Sequence, residues 1–197
     1  MKIKVVSDLH LEFSDVNIPN DENCDVLILS GDIMTAEDLH DHPESSYGMY
    51  SNVNLDNLGR RQAIALRFRD FLKRVSFNFP HVVYVAGNHE FYHGRWDASL
   101  DHLREECSKF PNVYFLERDC KVIDDVVFVG GTLWTDMNKG DSLTLFTVRT
   151  MMNDFRVIKK DNDNWTNLKP ADTVARHRQT LDYIRLIVDG NKDKKCI

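Results

Sequence analysis

Three groups of polar residues in this sequence have the types and the spacing of metal ligands. They are Asp8 with His10, Gly31-Asp32, and Gly87-Asn88-His89. Carboxylate oxygen, imidazole nitrogen and amide oxygen form a donor set that suits manganese, iron or zinc better than a thiolate site does. The i, i+2 spacing of Asp8 and His10 places both side chains on one side of an extended backbone. The three groups together therefore predict a site for divalent cations.

Such a site would suit the hydrolysis of phosphate esters. The phosphorus is shielded by negative oxygens, and two cations about 3.5–4 Å apart bind those oxygens and lower the pKa of a bridging water. Asp32 lies in the middle group and is the natural residue to bridge both cations. His89 follows Asn88 and is placed to act as a general acid toward the leaving oxygen, or to hold the phosphoryl group.

The elements that must position these groups are short buried strands. Apolar runs from Ile3 to Ser7, from Val26 to Ser30 and from Val82 to Ala86 each end directly before one group, and runs of this kind are typical of parallel strands. Apolar residues from Ile64 to Val75 recur at three- and four-residue spacing, which predicts a helix between the second and third strands. The order strand, helix, strand predicts an α/β layered fold with the ligands at the carboxyl ends of the strands.

The rest of the chain extends this pattern within a single predicted domain, residues 1–197. The further predicted elements are a helix from Trp96 to Cys107, strands from Asn112 to Leu116 and from Lys121 to Leu133, and helices from Leu143 to Met152 and from Ala171 to Val188. A turn is expected at Asp124-Asp125 and a bulge or a close backbone approach at Gly130-Gly131. The polar stretch from Glu37 to Gly59 is predicted to be a long loop over the strand ends.

Composition limits the partners of this chain. It has 25 Lys and Arg against 31 Asp and Glu, a formal net charge of −6, which gives no general attraction to nucleic acid or to an anionic membrane. Nucleic acid is therefore expected only as a substrate. No apolar run approaches the roughly 20 residues of a membrane-spanning helix, so no membrane association is expected. The N-terminus reaches the carboxylate of Asp8 too soon to hold a signal-peptide core, which predicts a cytoplasmic location. In such a reducing compartment the four isolated cysteines are expected to be free thiols.

The motifs Ser-Asp-Leu-His at 7–10, Ser-Gly-Asp-Ile at 30–33 and Ala-Gly-Asn-His-Glu at 86–90 resemble those of the calcineurin-like metallophosphoesterases. The segments at 130–135 and 152–156 are similar to the smaller bacterial and phage members. The resemblance implies that Asp8, His10 and Asp32 ligate one metal, that Asp32 and Asn88 contribute to a second, and that His89 is catalytic. It also implies hydrolysis of phosphomono- or diesters through a dinuclear metal site and a metal-bound water. The implied fold is a layered α/β/β/α sandwich of mixed sheets flanked by helices.

The sequence departs from the family pattern at its C-terminal end. That pattern ends with a further histidine ligand and a Gly-His-x-His motif, and neither is present. We therefore expect a C-terminally incomplete fold, an incomplete second metal site and a complementing C-terminal segment. The alternative function is a catalytically impaired or split module that binds one metal and needs a partner segment. A structural α/β domain without metal binding is a third hypothesis.

Several other polar residues are open to simpler interpretations. Glu90 is expected to support its loop rather than to take part in the chemistry. His93 is a weaker candidate for the rim of the site and the first to test if other residues supply the missing ligands. His40 and His42 are expected to be solvated, the alternative being contact with substrate or a stray metal. Arg60-Arg61 is expected to lie on an exposed helix face.

Overall fold

The computed structural model describes residues 1–41, 59–160 and 166–197. Its strands are β1 (Ile3–Val6), β2 (Val26–Ser30), β3 (His81–Val85), β4 (Val113–Phe115), β5 (Asp119–Ile123), β6 (Val126–Gly130) and β7 (Lys195–Cys196). Its helices are α1 (Glu37–Asp41), α2 (Arg60–Asn78), α3 (Trp96–Ser108), α4 (Met137–Gly140), α5 (Ser142–Met151), α6 (Asp154–Val157) and α7 (Pro170–Gly190), with a 3-10 turn at His89–Phe91. His42 lies outside the described residues.

Strands β1 to β4 form one sheet in the order β1-β2-β3-β4, and every described pair in it is parallel. Residues of β2 alternate between the two faces of this sheet, as the two-residue period of a strand requires. Leu27 and Leu29 belong to one hydrophobic cluster, whereas Val26 belongs to the other and Ile28 packs against it. Burial on both faces is why these strands are continuous apolar runs in the sequence.

Helices cover the first face of the parallel sheet. The helix predicted around Ile64–Val75 is confirmed as α2, whose buried residues recur at three- and four-residue spacing. Phe68 of α2 lies against Tyr84 of β3, with the ring centroids 6.4 Å apart. Helix α3 buries Trp96, Leu100 and Leu103 in the same cluster. These packed helices fix the strands whose ends carry the predicted ligands.

A second sheet covers the other face. It has the order β5-β6-β7, with β5 and β6 antiparallel and β6 and β7 parallel, so it is a mixed sheet. A Cβ atom on Gly130 would lie 2.6 Å from Val85 and 2.7 Å from Leu116. The close backbone approach predicted at Gly130 is therefore confirmed, and it lets the two sheets pack together. Helix α7 lies beyond this sheet, where the Thr180 hydroxyl donates to the Thr132 carbonyl oxygen.

The layered α/β fold with sheets flanked by helices is confirmed. One local expectation is corrected: the stretch predicted as a loop from Glu37 begins with a helix, α1, and its part from 42 to 58 lies outside the described residues. Leu39 is buried in the core, and this contact stabilises a helix that the polar sequence around it did not reveal. The extent of the single domain, residues 1–197, stays a prediction.

No helix in the described part of the chain is long and apolar enough to cross a membrane. The four cysteines are free, with Cys24 and Cys107 buried.

Candidate metal centre

The backbone at the ends of β1 and β2 adopts a rare conformation at the predicted ligands. Asp8, His10 and Asp32 have positive φ angles of 54°, 47° and 55°. Few residues other than glycine adopt this region, although Asp and His enter it more readily than most. The Asp8 and His10 backbone N–H groups donate to the carbonyl oxygens of Gly31 and Asp32, both at 3.1 Å. These bonds hold the two loops side by side, so the unusual backbone serves to gather side chains.

Glycine makes room for the Asp32 carboxylate. A Cβ atom on Gly87 would lie 2.2 Å from Asp32 Oδ1, and a Cβ atom on Gly31 would lie 2.8 Å from the Gly87 backbone. Any larger residue at either position would push apart the loops that follow β2 and β3. The glycines of the second and third motifs are therefore required for the close approach of the predicted ligands.

The structure brings the predicted ligands of the first metal together. One ligand atom from each of Asp8, His10 and Asp32 lies within 4.8 Å of the others. The third motif reaches the same place, because the His89 backbone N–H donates to Asp32 Oδ1 at 2.9 Å. The His10 and His89 rings are 4.3 Å apart between centroids. Two carboxylates and an imidazole at this separation fit a divalent cation such as manganese, iron or zinc.

Glu12 is a site residue that the sequence reasoning missed. Its Oε1 atom lies 3.1 Å from Nδ1 of His10 and 3.1 Å from Nδ1 of His89, which are hydrogen-bond distances. A carboxylate that accepts from one imidazole nitrogen leaves the other nitrogen free for a metal or a substrate, as at many metal-bound histidines. Glu12 also lies two residues after His10, and this extension of the Asp-x-His spacing was the available signal.

Asp154 is a second residue that the sequence reasoning did not place in the site. The Asn88 side-chain nitrogen donates to Asp154 Oδ1 at 3.0 Å, and the Tyr92 hydroxyl donates to Asp154 Oδ2 at 3.2 Å. Because the amide nitrogen is engaged, the carbonyl oxygen is the atom that Asn88 has left for a cation. Burial and the charge of Asp154 raise the pKa of Tyr92 to about 12, so its hydroxyl remains a donor at neutral pH.

The comparisons with known proteins agree with this geometry. The family model of calcineurin-like phosphoesterases matches residues 1–191. The chain belongs to the calcineurin-like phosphoesterase family.

Two matched proteins are similar to most of this chain. The uncharacterized protein L509 of Acanthamoeba polyphaga mimivirus is 27% identical over 188 residues, which cover 92% of this chain and 61% of the viral protein. The crystal structure of a phosphopantetheinyl hydrolase from Mycobacterium tuberculosis has a TM-score of 0.56 and 16% identity, and the match covers 93% of this chain and 63% of that one. The chain therefore spans about three fifths of the length of both proteins.

Glu90 supports its loop, as the sequence predicted. Its carboxylate is fully buried and accepts hydrogen bonds from four groups on three segments. The donors are the backbone N–H groups of Asp32, Ile33 and Gly87 and the hydroxyl of Tyr84, at 2.7 to 3.0 Å. Burial raises the pKa of Glu90, and the bonds from Ile33 and Tyr84 oppose that effect. One carboxylate thus ties the second motif to the third.

His93 lies where the sequence placed it, on the rim of the site. It is exposed, and it lines the same cavity as His89, Glu12 and Tyr92. Arg60 and Arg61 line that cavity as well. The exposed helix face expected for these arginines therefore borders the site.

Proposed function

We propose that this chain hydrolyses phosphoesters with the help of two divalent metal ions. One observation carries the proposal: Asp8, His10 and Asp32 converge to within 4.8 Å at the carboxyl ends of β1 and β2, and His89 adjoins them. Family membership over residues 1–191 supports the same reaction class. The proposal covers the hydrolysis of both phosphomonoesters and phosphodiesters.

We assign the metal positions from the donors. Asp8, His10 and Asp32 would hold the first ion, and Asp32 and Asn88 would contribute to the second. Manganese, iron and zinc all suit this set of oxygen and nitrogen atoms. The ions would supply positive charge to the phosphate oxygens and lower the pKa of water. Asp154 and Glu12 orient the donor atoms of Asn88 and His10.

His89 would hold a proton for the leaving oxygen of the substrate. Glu12 faces Nδ1 of His89, so Nε2 is the nitrogen available to the substrate. The His89 ring stacks on Tyr92 with centroids 4.2 Å apart, which keeps the imidazole from turning. A positioned imidazole of this kind can serve as a general acid.

The substrate would enter through the cavity beside His89. This cavity has a volume of about 380 Å³ and is lined by Arg60, Arg61, Phe13 and His93. Two arginines at the mouth of a metal site attract an anionic ester in a protein whose overall charge is negative. Phe13 is largely exposed there and offers an apolar surface to the alcohol part of the substrate. The proposal includes nucleic acid as a substrate and not as a separate partner.

We further propose that a segment beyond these residues completes the second metal position. In the described part of the chain, only Asp32 and Asn88 are assigned to it. Two ligands hold a divalent ion loosely, and the matched proteins are longer than this chain. In the alternative function, the chain is an impaired or split module that binds one metal until the partner segment is supplied. We also propose a cytoplasmic location, in which the four cysteines would stay free thiols.

The proposal is tested by manganese calorimetry and by phosphatase assays on p-nitrophenyl phosphate and bis-p-nitrophenyl phosphate. Asp32→Asn should abolish tight manganese binding and hydrolysis, because it removes the anionic ligand shared by both positions. Asp101→Asn, an exposed carboxylate of α3, is the matched control and should change neither. Equal manganese affinity in the wild type and Asp32→Asn would refute the site. One bound ion with no hydrolysis would favour the split module.

A further inference from the structure

A second group of metal-type side chains lies between α1 and α3, apart from the phosphoesterase site. It consists of Glu37 and His40 on α1 and His102 on α3. One ligand atom from each lies within 4.8 Å of the others. The rings of His40 and His102 are 4.8 Å apart between centroids and inclined by 32°. His102 is far from Glu37 and His40 in the sequence, and the fold brings it to them.

The core fixes the backbone on both sides of this group. Leu39 and Leu103 are buried in the same hydrophobic cluster, and each is a direct neighbour of one of the two histidines. Glu37 and His40 are three residues apart on one helix, so their side chains share a face. The group is therefore carried by a rigid framework, and it can be treated as a preformed set of donors.

Two local features around Glu37 favour a ligand. A Cβ atom on Gly94 would lie 3.0 Å from Glu37 Oε2 and 2.6 Å from Ser99 Oγ, so the glycine leaves room for both groups. Ser99 Oγ is fully buried and has no hydrogen-bond partner among the described residues. Ser99 precedes His102 by three residues and lies on the same face of α3. A buried hydroxyl beside the carboxylate is placed to support a metal ligand, as outer hydrogen-bond partners do.

The distances suit a single small cation. Glu37 Oε1 and His40 Nδ1 are 3.9 Å apart, which is beyond hydrogen-bond distance. Two ligands at about 2.1 Å from a tetrahedral zinc ion are about 3.4 Å apart, so small side-chain rotations close the set. Two imidazoles and one carboxylate are a known zinc donor set that leaves a fourth position for water. His40 is exposed, so an ion can enter from solvent.

We propose that Glu37, His40 and His102 bind a zinc ion that fastens α1 to α3. Helix α1 follows the loop of Asp32, and its residue Asp38 lines the substrate cavity together with Thr35. Zinc at this position would hold that wall of the cavity in place. The proposal shares no residue with the phosphoesterase site, so it stands or falls independently of the proposed function.

The test starts from a variant whose phosphoesterase site is disabled, Asp8→Asn with Asp32→Asn, after removal of metals with a chelator. Calorimetry of this variant should show that one zinc ion binds per chain. Adding His102→Ala or His40→Ala should weaken that binding by at least about tenfold. Zinc should also raise the melting temperature of the parent variant more than that of either derivative. His177→Ala, a histidine on α7 outside the group, is the matched control and should retain the equivalent.

Two readouts separate zinc binding from an ordinary ion pair between Glu37 and a protonated His40. Cobalt(II) should give the visible absorption of a tetrahedral nitrogen and oxygen site, and this absorption should vanish in His40→Ala. His40 is exposed, so that substitution leaves folding intact even if His102→Ala does not. Unchanged zinc stoichiometry and affinity in His40→Ala would overturn the proposal.

Discussion

The side-chain nitrogen of Asn88 donates a 3.0 Å hydrogen bond to Oδ1 of Asp154, a buried carboxylate from a distant part of the chain. This bond decides which atom of the amide is left for a cation. Without this bond the side-chain amide could turn over and point its nitrogen at the cation. An amide nitrogen is a hydrogen-bond donor and does not bind a metal ion. Asp154 is thus placed to orient Asn88 for the proposed second metal position.

Asp154→Ala should weaken binding at that position by about 10- to 100-fold, the usual effect of losing an outer partner of a metal ligand. Asp154→Asn should restore much of the affinity, because its side-chain oxygen can still accept from Asn88. Manganese calorimetry measures both. Asp182→Asn, on the exposed face of α7, is the control. Equal affinities for Asp154→Ala and the wild type would contradict this role.

The strand ends and the polar side chains that follow them were predictable because local patterns determine them. Asp8, His10, Asp32 and Asn88 each follow an apolar run, and parallel strands bring their carboxyl ends to one edge. Asp154 could not be predicted in the same way. It is far from the three motifs in sequence, and only the packing of α6 against the third motif brings it to Asn88.

His89 is expected to act in turnover rather than in folding. His89→Asn should lower the phosphatase rate by about 10²–10⁴-fold, because a general acid contributes on that scale. Its side chain is partly exposed, so the melting temperature should stay nearly unchanged. His81→Asn, at the opposite end of β3, is the control and should keep the rate. A large loss of stability with a normal rate per folded molecule would make His89 a structural residue.

Glu12 should affect metal binding and turnover together. Glu12→Ala removes the acceptor that faces Nδ1 of both His10 and His89, so both rings lose their orientation. We expect about 10- to 100-fold weaker binding at the first metal position and a lower rate. Glu12→Gln keeps an oxygen acceptor and should retain more of both. Calorimetry and saturation kinetics measure these effects, and no change in Glu12→Ala would exclude the role.

Glu12 also shows where the sequence analysis fell short. An acidic residue two positions after a ligand is common on any loop, and its type and spacing do not reveal a contact with His89. The contact arises because Glu90 and the glycines hold the third motif against the first two. A shared partner of two motifs becomes visible only when the distance between the motifs is known.

Asp141 provides a prediction of pH dependence away from the site. It caps α5 by accepting from the backbone N–H and the hydroxyl of Thr144, both at 2.8 Å, and these bonds lower the pKa of the Asp141 carboxyl. The cap therefore stabilises the folded protein at pH values above the unfolded-state pKa of about 3.9. This stabilisation is lost as the pH falls through the lower pKa of the folded state. Asp141→Ala should therefore lower the melting temperature at neutral pH, and the difference should shrink in acid. A pH-independent difference would contradict the assignment.

Glu90 should be the most sensitive residue for stability at the site. Its Oε1 accepts from the Ile33 backbone N–H and the Tyr84 hydroxyl, and its Oε2 accepts from the backbone N–H groups of Asp32 and Gly87. Glu90→Gln replaces one oxygen by a donor, so two of these groups lose their acceptor in a fully buried place. Each unsatisfied buried donor costs about 1–3 kcal/mol, so the free energy of unfolding should fall by at least about 2 kcal/mol.

Urea denaturation measures that change, and Glu105→Gln, exposed on α3, is the matched control. If the side-chain amide introduced by Glu90→Gln faces the backbone N–H groups of Asp32 and Gly87, those two loops lose their acceptor. Metal affinity should then also fall in the folded fraction of Glu90→Gln. A loss of stability without a loss of affinity would mean that the side-chain amide faces Ile33 and Tyr84 instead. Wild-type stability in Glu90→Gln would show that this buried carboxylate does not hold the second and third motifs together.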